Sequence, residues 1–230
     1  LKDAVTGDRQ VKKIVALYAG QGLAELMMKT FAEIAPEVKV YNMVDDSLIQ
    51  ECIREGCVTR GVKRRLLQHI IVAEQMGMDA ILSTCSSMGE VVDIARQFCE
   101  TPIVKIDEHM ATEAVSKYGS LAVLATIPTT LNPTMKLLET KAKEAGRKVS
   151  IINGMANGAY QALVAGKPEE HDRLILEAAM KVAGDSDAIV LAQGSMGRMK
   201  DSLAKKTGKP VLASPPFAAR AIKALLEGKK

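Results

Sequence analysis

Tryptophan is absent from this chain of 230 residues, and aromatic side chains make up only 3% of it. Surfaces that stack nucleobases are built from aromatics, so no nucleic-acid partner is expected. No apolar run approaches the roughly 18 residues that a membrane-spanning helix needs. The first residues, Leu1 to Asp8, carry no apolar signal core. The four cysteines, at 52, 57, 85 and 99, contain no Cys-x-x-Cys pair. The common zinc spacing is therefore missing, and a disulfide framework does not suit a chain of this length. Together these absences predict a reduced, cytoplasmic protein with neither a metal nor a membrane anchor. Gly20-Gln21-Gly22 lacks the third glycine of a dinucleotide fingerprint, and no acidic residue follows at ribose distance. A close approach of backbone to a small ligand is the better reading of that loop.

What remains is an ordinary globular composition, 47% hydrophobic and 25% charged, with a formal charge of +4. A mild positive balance favours a small anionic substrate without demonstrating one. The densest basic stretch, Arg60 to Arg65, shares a helical pattern with Val62, Leu66, Leu67 and Ile70. It reads as a solvated helix face.

The informative feature is an internal repeat. Asp79-Ala-Ile-Leu-Ser-Thr-Cys85-Ser-Ser-Met-Gly89 returns 108 positions later as Asp187-Ala-Ile-Val-Leu-Ala-Gln193-Gly-Ser-Met-Gly197, with 6 of 11 residues identical. The same offset pairs Val15 with Val123, Leu23 with Leu131, Met27 with Met135 and Pro102 with Pro210. A spacing that holds along the chain indicates a duplicated unit.

Short apolar runs alternate with helical patterns. Strands are expected at 13–18, 38–43, 80–83, 103–106, 121–125, 149–152, 188–192 and 211–213. Strand–helix alternation predicts an α/β fold of mainly parallel sheets flanked by helices, here as two pseudo-symmetric lobes. Helices over 107–118 and 215–226 would cross from one lobe to the other. The lobes then divide as 1–106 plus 214–230, and 107–213. Ligands of parallel sheets gather at the carboxyl ends of strands. The loops after the strands of both lobes should therefore face one site between them.

Cys85 is the leading reactive group. A free cysteine is most often a small buried hydrophobe. Its polar neighbours Thr84, Ser86 and Ser87, its place in the repeat, and a helix expected to start just after it favour a functional thiol of lowered pKa. Cys52, Cys57 and Cys99 lack such surroundings. Thr126, Thr129 and Thr130 follow a strand and open a helix, so they offer capping hydroxyls and a carboxylate cradle. Gln193, Gly194 and Ser195 stand opposite Cys85 in the repeat. An amide there orients a carboxylate or braces its own loop. Gln21 belongs to the first glycine loop. Asp107, Glu108 and His109 follow a strand and are candidates for a second acid or base, although dipole complementation explains the two acids equally well. His69 reads as part of an amphipathic helix, and His171 as the exposed start of another.

The strand into Thr84-Cys85-Ser86-Ser87, its counterpart at Gln193–Met196, and Ala125-Thr126-Ile-Pro-Thr129 together resemble the aspartate/glutamate/hydantoin racemase superfamily. The resemblance spans about 13–226. It implies two lobes around a small carboxylate, no cofactor, and two cysteines acting as base and acid beside a carboxylate. The first of these falls on Cys85, and Gln193 occupies the place of the second. The resemblance therefore implies a cofactor-independent isomerase acting on a small amino or hydroxy acid, with a homodimer as the expected assembly. A single-cysteine decarboxylase of a malonate-type acid is the alternative within the same chemistry, and a covalent nucleophile needs a base that no sequence neighbour supplies. A non-catalytic carboxylate-binding protein is the alternative of another class.

Overall fold

A computed structural model describes residues 11–228. Among the described residues, eight strands form two four-stranded sheets. The first sheet holds β1 (Lys13–Tyr18), β2 (Lys39–Val44), β3 (Ala80–Ser83) and β4 (Ile103–Lys105) in the order β2-β1-β3-β4. The second holds β5 (Ser120–Ala125), β6 (Ser150–Met155), β7 (Ala188–Leu191) and β8 (Val211–Ala213) in the order β6-β5-β7-β8. Every pairing is parallel. β3 and β7 are buried along their whole length, as expected of strands covered on both faces.

The intervening helices are α1 (Ala24–Ile34), α2 (Ser47–Glu55), α3 (Arg60–Gln75), α4 (Gly89–Ala95), α5 (Glu108–Lys117), α6 (Pro128–Glu144), α7 (Ala159–Val164), α8 (Pro168–Ala183), α9 (Lys200–Thr207) and α10 (Ser214–Leu226). On one face of the first sheet, Ile14, Ala16, Tyr18 and Leu82 pack with Met27 and Phe31 of α1 and Ala218 and Ile222 of α10. On the other face, Val15, Leu17 and Ile81 pack with Cys52, Leu66, Ile70 and Val91. The second sheet repeats the plan. Met110 and Val115 of α5 and Leu138 of α6 cover one face, and Ile175 of α8 and Leu203 of α9 cover the other. The helix after β4 thus packs on the second sheet, while the helix after β8 returns to the first. None of the described helices is long and apolar enough to cross a membrane.

The repeat is visible atom by atom, with one correction. Asp79 accepts a hydrogen bond from the Lys13 N–H at 2.8 Å, and Asp187 accepts one from the Ser120 N–H at 2.8 Å. Each aspartate therefore ties the start of the middle strand to the loop before its neighbour. Asp79 and Asp187 stand 108 positions apart, but Lys13 and Ser120, which open β1 and β5, stand 107 apart. The single offset of 108 holds for β3 and β7 but slips by one at β1 and β5, so Val15 is not the equivalent of Val123. Loops between strands absorb such changes, whereas a one-residue slip within a strand would turn its buried face outward.

Candidate active site

In both sheets the strand order reverses beside the first strand, between β1 and β3 and between β5 and β7. The helices leaving these neighbours go to opposite faces, which opens a crevice at their carboxyl ends. The two crevices meet. A cleft of about 260 Å³ is lined by Gly20, Gly22 and Leu23 after β1, and by Thr84, Cys85, Ser86 and Ser87 after β3. From the second lobe come Thr126, Ile127 and Thr130 after β5, and Gln193, Gly194 and Ser195 after β7. Tyr160, Leu163 and His171 close one side, and Ile49 and Ile53 another. The lobes touch closely here. A Cβ on Gly194 would stand 2.9 Å from a Leu23 methyl, and Ser87 Oγ and Thr130 Oγ1 are 3.1 Å apart and buried. The side chain of Gln21 lies outside the described residues.

Cys85 precedes a three-residue 3-10 turn, Ser86–Met88, and has an extended backbone (φ −112°, ψ 108°). It is only partly exposed and rests against the cluster of Leu17, Cys52 and Met88. Burial pushes its thiol up to about 11, and the N–H and hydroxyl of Ser87 do not offset that effect. The expected lowering is therefore overturned. α4 begins only at Gly89 and is seven residues long, so the thiol meets a tight turn rather than the aligned dipoles of an α-helix. At rest the sulfur is a protonated acid. Cys99 lies beyond the end of α4 and outside this cleft.

Several of the polar neighbours are occupied with structure. The Thr84 hydroxyl donates to the Leu17 carbonyl at 2.8 Å, which locks the Cys85 loop to β1. Gln193 Oε1 accepts from the Thr126 N–H at 2.8 Å, and Nε2 donates to Thr126 Oγ1 at 2.8 Å. The amide thus braces the Thr126 loop, one of the two roles open to it from sequence. The Thr129 hydroxyl is buried without a partner among the described residues and does not line the cleft.

The three expected second carriers do not face Cys85 across this cleft. Asp107 and Glu108 line a separate cleft of about 580 Å³ on the far side of Ser86 and Ser87, between α4 and α6. Burial raises the Asp107 carboxyl despite a hydrogen bond with the Ser86 hydroxyl. Burial would raise Glu108 too, but hydrogen bonding and charge from Arg96, with Lys105 and Lys141 nearby, hold it down to about 2. Arg96 Nη2 lies 2.8 Å and Lys141 Nζ 3.3 Å from its carboxylate. Glu108 is an ion-pair anchor in place of a proton carrier. His109 is exposed and lines neither cleft.

Sequence reasoning missed His171. It is 5% exposed and lines the cleft, whereas an exposed helix start was expected. Its Nδ1 lies 2.7 Å from Asp172 Oδ1, and Asp172 is clasped in turn by Arg198 of the 3-10 turn Gly194–Met199. The only sequence signal was the neighbouring Asp172. Burial of the ring comes from the tertiary packing of α8 against α7 and the second sheet, which local pattern does not encode. Among the described residues, no group of three or more His, Cys, Asp or Glu is arranged to hold a metal ion.

The family model for Asp/Glu/Hydantoin racemase matches residues 17–222. No curated protein matches the sequence. Solved structures do share the fold. Glutamate racemase isoform RacE1 from Bacillus anthracis superposes with a TM-score of 0.79 at 13% identity, covering 95% of this chain and 82% of that one. The aspartate racemase of Picrophilus torridus gives 0.73 at 14% identity, with 95% of each chain covered. Glutamate racemase from Francisella tularensis, in complex with D-glutamate, gives 0.71 at 16% identity, covering 95% and 82%. A match over so much of the chain, together with the doubled sheet and the shared cleft, places this protein in the Asp/Glu/hydantoin racemase family.

Proposed function

We propose that the protein is a cofactor-independent isomerase that moves a proton at the carbon next to the carboxylate of a small amino or hydroxy acid. Cys85 is the proton-transfer group on the first lobe. The observation that carries this reading is the convergence of Cys85 and the strand-end loops of both lobes on one cleft of about 260 Å³, a volume suited to a small acid. Removing such a proton builds an enediolate, so fixed donors must meet its charge. Ser86, Gly194 and Ser195 line the same space, and backbone N–H groups there are suited to that task. The Thr129 hydroxyl, expected in this cradle, lies outside it.

A second reading has its own support. A thiol pushed up to about 11 is a ready donor, and Gln193 offers no thiol opposite it. A malonate-type acid that loses CO₂ forms the same enediolate and needs only one protonation, from Cys85. Incubating amino, hydroxy and malonate-type acids in D₂O separates the two. Exchange at Cα with loss of optical activity supports the isomerase, and CO₂ release with one deuteron incorporated supports the lyase. Binding with no turnover, unchanged in Cys85→Ala, would sink both and leave a carboxylate-binding protein. We further propose a cytoplasmic homodimer, for which sedimentation is the direct measurement.

A further inference from the structure

Inverting a carbon centre by proton transfer takes one group on each face of the substrate. Cys85 serves the first lobe, and the repeat offers only the braced amide of Gln193 on the second. On the isomerase reading above, we propose that His171 is the second-lobe proton carrier, acting on the face of the substrate opposite Cys85.

Four observations support this assignment. His171 lines the same cleft as Cys85 but is carried by α8 of the second lobe. It is more than nine-tenths buried, so its ring is held in one place. Its Nδ1 faces Asp172 Oδ1 at 2.7 Å, and Arg198 Nη1 binds Asp172 Oδ2 at 2.6 Å. A carboxylate fixed in this way accepts the Nδ1 proton and leaves the Nε2 lone pair free. Arg198 Nη2 is a longer 3.4 Å from Nδ1, so the carboxylate contact sets the tautomer. Finally, Nε2 has no partner among the described residues and is not sealed from solvent. The charged groups around the ring are Asp172 on its own helix and Arg198 on the turn after β7. Tyr160 lines the same side of the cleft as His171, and the thiol of Cys85 lines it from the first lobe, with the Asp107 carboxyl close enough to act on it through charge.

The proton balance closes without a cofactor. Neutral His171 takes the α-proton at Nε2, and the C–H electron pair passes into the carboxylate as an enediolate. The Cys85 S–H then gives its proton to the opposite face of that carbon. The product has inverted configuration, and the enzyme is left as imidazolium and thiolate. That form accepts the other enantiomer by the reverse path or returns to the neutral pair by exchange with water. The imidazole–thiol pair thus does the work that two facing thiols would do.

The test uses the full chain and whichever acid exchanges its α-proton in D₂O. His171→Asn and His171→Gln should lose racemisation by about 100-fold or more. His109→Asn should match the wild type. Racemisation within about twofold of wild type in a folded His171 variant overturns the assignment and leaves Cys85 in its role. Release of CO₂ at an unchanged rate in His171→Asn overturns it as well. If neither variant folds, carbethoxylation of His171 in wild-type protein by diethyl pyrocarbonate, mapped by mass spectrometry, must abolish racemisation. Activity retained by the modified protein counts against the assignment. A further arm needs no turnover. Iodoacetate, itself a small carboxylate, alkylates Cys85, and its rate is followed over about pH 5 to 10. A neighbouring imidazole assists loss of the thiol proton, so His171→Asn should alkylate Cys85 more slowly. Identical profiles overturn the pairing even if no acid in the panel turns over. Altered profiles without any turnover support the pairing and remove only the isomerase reading.

Discussion

Ser87 Oγ and Thr130 Oγ1 lie 3.1 Å apart in a buried position, joining the turn after Cys85 in the first lobe to α6 in the second. A buried hydroxyl pair contributes about 1 kcal/mol, and stranding one member costs about 1–3 kcal/mol. Ser87→Ala and Thr130→Val should therefore each lower stability by about 1–2 kcal/mol. The double variant should lose less than the sum, because no hydroxyl is left stranded. Urea denaturation of the four proteins measures the coupling. Strict additivity would show that this contact does not join the lobes.

Gln193 and Thr126 form a closed exchange, with the amide oxygen on the Thr126 N–H and the amide nitrogen on its hydroxyl. Gln193→Ala removes both partners and should destabilise the protein by about 1–3 kcal/mol. Gln193→Cys removes the same brace but places a second thiol opposite Cys85 in the repeat. On the isomerase reading it should raise racemisation of an exchanging acid at the same time as it lowers the denaturation midpoint. A folded Gln193→Cys protein that gains no racemisation would show that position 193 does not face the substrate carbon.

The strands were legible because strand length and full burial coincide. Ala80–Ser83 and Ala188–Leu191 are short runs of apolar and small residues, and both lie buried at the centre of a sheet. β6 departs from the strand expected at 149–152, since it continues through Asn153-Gly154 to Met155. Gly154 is needed there. A Cβ at that position would stand 2.6 Å from a Leu124 methyl and 2.9 Å from the Val123 carbonyl. The loops of the cleft could be placed from the repeat, because sheet topology fixes which ends of the strands meet. The chemistry inside it could not. The sign of the shift at Cys85 depends on how much protein surrounds the sulfur. The burial of His171 depends on how α8 packs on α7 and the second sheet. Glu108 takes its role from Arg96 and Lys141, which arrive from different parts of the chain. Each is a tertiary effect without a local pattern.

Cys85 imposes an alkaline limit on stability. Burial raises its thiol from 9.0 in the reference state to about 11 in the fold. The unfolded chain therefore loses this proton first as pH rises. Its contribution to stability is complete below about pH 9 and is lost as pH climbs towards about 11. Denaturation midpoints should fall over that window in the wild type and fall less in Cys85→Ser. Alkylation by iodoacetamide should likewise mark Cys57, which is exposed, before Cys85 near neutral pH. Faster labelling of Cys85 would mean that the sulfur is a thiolate at rest.

Glu108 imposes the opposite limit. Its carboxyl is held near 2 against 4.5 in the reference state, so the unfolded chain takes up the proton first as pH falls. The stabilisation is present above about pH 4.5 and disappears as pH drops towards about 2. Because Arg96 and Glu108 are partly open to water, solvent screening reduces its size to about 1–2 kcal/mol. Glu108→Gln should be less stable than the wild type at neutral pH by about that amount and should converge with it in acid. A constant difference across the acid range would show that the loss comes from packing and not from charge.

Gly194 and Leu23 set how closely the lobes approach. A Cβ on Gly194 would lie 2.9 Å and 3.1 Å from the two Leu23 methyls and 3.4 Å from Ile106. Leu23 is 8% exposed, so it has little room to turn away. Gly194→Ala should therefore push the loop after β7 away from the first lobe. Overpacking of this kind destabilises by about 1–3 kcal/mol, and substrate contacts shared between the lobes should weaken with it. Leu23→Ala alone opens a cavity and also destabilises. In the double variant the new methyl occupies part of that space, so the two losses should compensate. A double variant as unstable as the sum of the singles would show that Gly194 matters for its backbone alone. Recovery of stability would place the constraint in the contact with Leu23, at the seam where the two halves of the repeat enclose the cleft.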